Sequence, residues 1–207
     1  RVETFARRHG HDLTVVAPVP FWPRLPFPTK AEYDTFARVP RLEKRDGYTV
    51  HRPRYLVTPG LGMSLYGRWM AAGSRACVAR LHREQPFDVI DAHYVYPDGE
   101  AAAILAGELG IPFILSARGT DLNLFPTLPR IAARIRRYLP RSARLICVCE
   151  ELRAAAVRLG MPAERIDVIG NGVDVERFHR RDPVAARERL GLPAKARIVL
   201  SVGHLSE

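Results

Sequence analysis

Two short stretches hold residue types that could do chemistry: Asp91-Ala92-His93-Tyr94-Val95-Tyr96-Pro97-Asp98-Gly99 and Ser116-Ala117-Arg118-Gly119-Thr120-Asp121. In the first, His93 can transfer a proton and Tyr96 can stack on a sugar ring. Gly99 lets a ligand approach the backbone where a helix start offers unpaired donors. The plainer reading is a Pro-Asp-Gly turn and cap beside a hydrogen-bonded histidine. In the second, Arg118 can hold a phosphate and Asp121 can orient hydroxyl groups across Gly119. Equally, Asp121 can cap the following turn with Arg118 as its partner. A third stretch carries Arg130, Arg134, Arg136, Arg137, Arg141 and Arg144, with no acid between Leu122 and Cys149. On a helix, Arg130, Arg134, Arg137 and Arg141 fall along one side and Leu128, Ile131, Ile135 and Leu139 along another, with Pro140 ending the helix before Arg141. This reads as a solvated face, with an anionic lipid surface as the alternative.

The elements that must position these residues follow from periodicity. Val2 to His9 has helical spacing with Gly10 as its cap, and Leu13 to Ala17 reads as a short buried strand. Phe21 to Arg45, with prolines at 23, 26, 28 and 40, reads as a long ordered loop, and Tyr48 to Arg52 as a strand. Helices are expected over Tyr66–Glu84, from Asp98 to Glu108, over Thr127–Leu139 and over Glu150–Leu159. Strands are expected over Phe87–Ala92, Ile111–Ala117, Arg144–Val148 and Arg165–Ile169. Strands alternating with helices predict an α/β fold, a Rossmann-like parallel sheet with helices on both faces. In such sheets ligands lie outside the carboxyl ends of the strands, which is where the first two stretches fall. The chain opens in what reads as mid-helix, so an earlier strand and its loop are expected before Arg1.

Composition narrows the classes. No apolar run approaches the roughly 18–20 residues of a membrane span, and no secretory signal is visible. Cys77, Cys147 and Cys149 are too few for a disulfide framework. Cys147 and Cys149 share one face of a strand as small core residues, which fits a reducing, cytoplasmic compartment. A net charge of +10 and a pI near 10.1 favour anionic partners. A basic nucleic-acid-binding module would interleave exposed aromatics with its arginines, but the basic stretch has only Tyr138. No phosphate-binding Gly-Lys loop, nucleophile elbow, dinucleotide glycine pattern or zinc spacing occurs.

Beyond these stretches, Asn171-Gly172 between Val168-Ile169 and Val173-Asp174-Val175 fits a hairpin turn by local rules. Several motifs also align in order. They are Asp91-Ala92-His93, Pro97-Asp98-Gly99, Ser116 to Asp121, Ile146-Cys147-Val148-Cys149-Glu150-Glu151-Leu152, Ile166 to Asp174 with Phe178, and Ile198 to Leu205. Together they resemble family 4 glycosyltransferases of the GT-B type across essentially the whole chain. The Asn-Gly-Val-Asp-x-x-x-Phe element is the most specific part.

The resemblance implies a Rossmann-like acceptor domain over 1–170, an interdomain crossing over 171–196, and the first strand of a donor domain over 197–207. It implies sugar transfer with retention from a nucleotide-sugar donor to a glycan or other carbohydrate, lipid-linked or small-molecule acceptor, without metal or other cofactor. Arg118 and Asp121 become catalytic candidates. His93, Tyr96, Asp98, Gly99, Gly119, Asn171, Gly172 and Gly203 become substrate-binding candidates. Peripheral contact with an anionic membrane is expected, nucleic acid is not, and the fragment by itself is expected to be inactive. Arg118 stands where many relatives have histidine, Cys149 where a serine usually caps, and His204 where an arginine often follows the glycine. A GT-B-like nucleotide-sugar epimerase and a basic nucleic-acid-binding module are the alternatives.

Overall fold

A computed structural model describes residues 12–22, 31–45, 47–58 and 62–201. The helix expected over Val2–His9, its cap Gly10, and Gly203 lie outside the described residues. The chain divides into two units, Arg1–Gly170 and Asn171–Glu207.

In the first unit β1 (Thr14–Val16), β2 (Val19–Phe21), α1 (Ala31–Arg38), β3 (Leu42–Arg45), β4 (Tyr48–His51) and β5 (Arg54–Leu56) come first. They are followed by α2 (Tyr66–Glu84), β6 (Ile90–His93), α3 (Asp98–Leu109), β7 (Phe113–Ser116), α4 (Thr120–Asn123), α5 (Pro129–Tyr138), β8 (Arg144–Cys147), α6 (Glu150–Arg158) and β9 (Ile166–Val168). Strands β6, β7, β8 and β9 lie side by side in chain order, and every pair is parallel. Each parallel step needs a crossover, and the intervening helices supply it. Among the other strands β4 pairs with β1 in parallel and with β3 antiparallel, while β2 pairs with β5 in parallel.

The loop expected over Phe21–Arg45 is corrected: its described part includes the end of β2, all of α1 and all of β3. Pro40 falls between α1 and β3. Pro53 lies between β4 and β5, and its carbonyl accepts from Val19 N at 2.9 Å. A proline lacks a donor and still offers an acceptor to a neighbouring strand.

Helix α2 buries Gly67, Met70, Ala71, Ser74, Val78 and Leu81, a stripe at helical spacing. Helix α3 is apolar nearly all round because it serves two cores. Ala102, Ala103 and Ala106 pack into the cluster built on β6–β9, whereas Ala101 and Leu105 pack with Met70, Ala71 and Val78 of α2. Cys147 is fully buried in the first cluster and Cys149 packs against it, as expected for small core residues. Among the described residues no helix is long and apolar enough to cross a membrane.

In the second unit Asp174 Oδ1 accepts from Glu176 N at 3.1 Å and Arg177 N at 3.0 Å, closing a turn. Helix α7 (Pro183–Arg189) is capped by Asp182, whose side chain accepts from Ala185 N at 2.9 Å. No strand follows Asn171-Gly172 in the described part of this unit, so the hairpin alternative is not formed. The strand expected from Arg197 is also absent over 197–201, where Val199 is 97% and Leu200 81% exposed. A strand is defined by pairing, and no strand pairs with these residues among the described residues.

Gly73 marks the closest approach of α2 to β5. A Cβ there would press on the Arg54 carbonyl and lie 2.9 Å from Tyr55 Cα, both backbone atoms that cannot swing aside. Gly73→Ala is therefore expected to destabilise the domain by about 2 kcal/mol. Thermal unfolding checks this, and a midpoint unchanged from wild type would contradict the packing.

Candidate functional site

The two strand-end stretches meet because of register. Pairing of β6 with β7 sets His93 opposite Ser116, so the chain beyond each strand emerges at the same edge. Asp121, on α4, then joins them. Its side chain is fully buried, with Oδ2 accepting from Val95 N at 2.8 Å and Oδ1 accepting from Gly119 N at 2.7 Å. Arg118 N donates to both oxygens, at 3.0 and 3.2 Å. A buried carboxylate would be costly without such donors. The expectation that Asp121 orients ligand hydroxyls is corrected: its oxygens are occupied by the backbone of both loops.

The rest of the first loop is held as tightly. Tyr94 has φ +99°, outside the range that non-glycine residues ordinarily adopt, and its N–H donates to Ser116 O at 3.0 Å. The Tyr138 hydroxyl donates to Val95 O at 2.5 Å. The Tyr96–Pro97 peptide is cis.

Tyr96, expected to stack on a sugar, is 1% exposed. Its ring meets Phe125 edge-on at 5.6 Å, its hydroxyl donates to Met63 O, and burial pushes its pKa up to about 12. It is a core residue here. Gly99 is also turned inward: a Cβ would lie 3.1 Å from Leu115 Cδ2 and 3.3 Å from Tyr138 Cε2, and its N–H donates to Tyr94 O at 3.0 Å. Close packing, in place of ligand approach, is its reason for being glycine. Gly119 has φ +138° and gives its N–H to Asp121.

His93, Arg118 and Asp98 remain partly exposed at this edge. Arg118 Nη2 lies 3.0 Å from His93 Nδ1, and His93 Nε2 lies 3.4 Å from Asp91 Oδ2. Asp91 was not singled out from the sequence, although its two-residue spacing from His93 on a strand puts both on one face. Asn171 and Gly172 belong to the second unit.

Arg134 departs from the expected solvated face. Its Nη1 lies 2.8 Å from Glu100 Oε1, whose side chain is 9% exposed, while Glu100 Oε2 has no hydrogen-bond partner among the described residues. Arg130, Arg136, Arg137 and Arg141 are exposed, as is Leu128.

Burial pushes the Asp98 carboxyl up to about 6 from its ordinary 3.8, with the Asp121 carboxylate adding to the rise and His93 opposing it. A raised acid favours the folded state fully below about pH 4, and that contribution is lost as pH rises through about 6. Asp98→Asn has no charge to bury. Its stability relative to wild type is expected to climb by on the order of 2 kcal/mol between pH 4 and 7. Paired denaturation curves across that range check this; a constant difference would contradict the burial of Asp98.

Residues 3–177 match the model for Glycosyltransferase Family 4. Among curated relatives, the chain is 29% identical over 204 residues to the putative teichuronic acid biosynthesis glycosyltransferase TuaC of Bacillus subtilis (strain 168), covering 95% of this chain and 50% of the relative. It is 31% identical over 134 residues to D-inositol 3-phosphate glycosyltransferase 2 of Catenulispora acidiphila, covering 60% and 31%. Among solved structures, Anabaena Alr3699/HepE in complex with UDP and glucose has a TM-score of 0.49 at 19% identity, covering 69% of this chain and 37% of that one. The chain thus spans about half or less of the length of these proteins. With the family model covering most of its length, the chain belongs to glycosyltransferase family 4.

Proposed function

We propose that this chain is the acceptor-side part of a GT-B enzyme that transfers a sugar, with retention, from a nucleotide-sugar to a glycan, lipid-linked or small-molecule acceptor. Residues 1–170 form the acceptor domain, 171–196 the crossing, and 197–207 the beginning of the donor domain. In the reaction the acceptor oxygen bonds to the anomeric carbon as the bond from that carbon to the diphosphate breaks. The acceptor proton passes to the departing diphosphate. No cofactor takes part.

Family membership supports the reaction class, and relatives such as TuaC are themselves glycosyltransferases. The observation that carries the site assignment is the Arg118 guanidinium at the joined strand ends, held on its backbone by Asp121 and at its tip by His93. A guanidinium is suited to bidentate contact with a phosphate or carboxylate. An acceptor such as D-inositol 3-phosphate, named for several relatives, or the departing diphosphate would present such a group. Asp98 and His93 flank that position, and Asp121 acts through the backbone as a positioning residue. Exposed Arg130, Arg136 and Arg137 beside Leu128 support contact with an anionic membrane surface.

In the full-length enzyme supplied with nucleotide-sugar and acceptor, Arg118→Ala is expected to lower kcat/KM by about a hundred-fold, with Arg118→Lys recovering only part of it. Product formation measured by mass spectrometry checks this. Turnover of Arg118→Ala within a few-fold of wild type would sink the assignment.

A further inference from the structure

His93 is an imidazole at the end of β6, beside the end of β7, which invites a role in moving protons. Its contacts assign it a different task. Arg118 Nη2 lies 3.0 Å from Nδ1 of the ring. A guanidinium has donors and no acceptor, so Nδ1 must be the accepting nitrogen. With Nδ1 accepting, the ring N–H sits on Nε2. That nitrogen is the one facing Asp91, with Oδ2 at 3.4 Å, so the carboxylate holds the same tautomer that the guanidinium requires. Both ring nitrogens face protein groups.

The arrangement follows from the sheet. Asp91 and His93 lie two residues apart on β6 and share a face. His93 stands opposite Ser116 in the β6–β7 register, so Arg118, two residues further on, is brought to the ring. The Arg118 backbone is already fixed by Asp121. The long side chain carries about 2 kcal/mol of rotamer entropy. The contact to Nδ1 fastens its far end.

We propose that His93 is a positioning residue: with Asp91 setting its tautomer, it aims the Arg118 guanidinium at an anionic group of the bound substrate and exchanges no proton with the reacting atoms. This rests on Arg118 being the anion contact. The charged groups around the ring are Asp91, Arg118 and, nearby, Asp98.

Two measurements on the full-length protein test it. Nitrogen-15 NMR of the histidine rings at about pH 8 reads the tautomer directly. The expected result for His93 is a proton on Nε2 and a bare Nδ1 whose resonance moves in Arg118→Ala; a proton on Nδ1 would overturn the proposal whatever the enzyme does. A double-mutant cycle reads the coupling. His93→Ala should raise KM for the anionic substrate by about ten-fold with Arg118 present and by less than about two-fold in Arg118→Ala. His93→Asn, whose side-chain oxygen can take the place of Nδ1, should stay close to wild type. Equal losses from His93→Ala on both backgrounds would overturn the positioning role while leaving the transferase reading intact. Absence of sugar transfer by the wild-type enzyme would defeat that reading, and the aim assigned to Arg118 with it.

Discussion

The Asp121 carboxylate is the tie on which the strand-end region depends. It lies fully buried and is answered by the backbone N–H groups of Val95, Arg118 and Gly119. Hydrogen bonds to a charged group contribute roughly 1.5–3 kcal/mol each, against a larger penalty for leaving such a group unpaired in the interior. The three donors come from two different loops, so the loops are fixed to one another as well as to the sheet. Tyr94 holds an unfavourable φ and Gly119 a φ that side chains rarely adopt within this same knot. Backbone conformations of this kind persist where the surroundings over-determine them. Here they set Arg118 beside His93.

A second constraint sits behind the knot. Helix α3 has alanine at 101, 102, 103 and 106, and these small side chains let it pack into two clusters at once. Its first turn carries the partly exposed Asp98, the tightly packed Gly99 and Glu100, which pairs with Arg134 of α5. A buried pair of this sort is a weak source of net stability, whereas removing one partner leaves an expensive lone charge. Its effect is to fix how α5 sits against α3. The same α5 supplies Tyr138, whose hydroxyl holds the Val95 carbonyl, so the two helices and the loop are tied to one another beside the strand ends.

From β6 onward the fold was readable in sequence because periodicity and turn chemistry agree there: alternating apolar strands and capped helices fall within a few residues of their expected bounds. The strand-end stretches were readable as well, as was their meeting at one edge. The roles inside them were not. Tyr96 and Gly99 carry residue types that suit a ligand, and only packing reveals that Phe125, Leu115 and Tyr138 claim them. Arg134 looked solvated because no acid is near it in sequence; its partner Glu100 is 34 residues away. In the Phe21–Arg45 region the prolines concealed short elements, since strands of three or four residues need little periodicity and depend on their partners. Residues 197–201 show the converse, an apolar run with strand propensity and no pairing strand among the described residues.

The central claim is that one buried carboxylate makes two loops into a single platform. Amide hydrogen exchange in wild type and Asp121→Asn tests it most directly, because the amide of asparagine presents a donor where an acceptor is required. The account predicts that Val95, Arg118 and Gly119 amides, protected in the wild type, exchange at least about ten-fold faster in the variant, while Leu115 and Leu145 in the sheet interior keep their protection. Unchanged protection at Val95 and Gly119, or acceleration no greater than at Leu115 and Leu145, would contradict it.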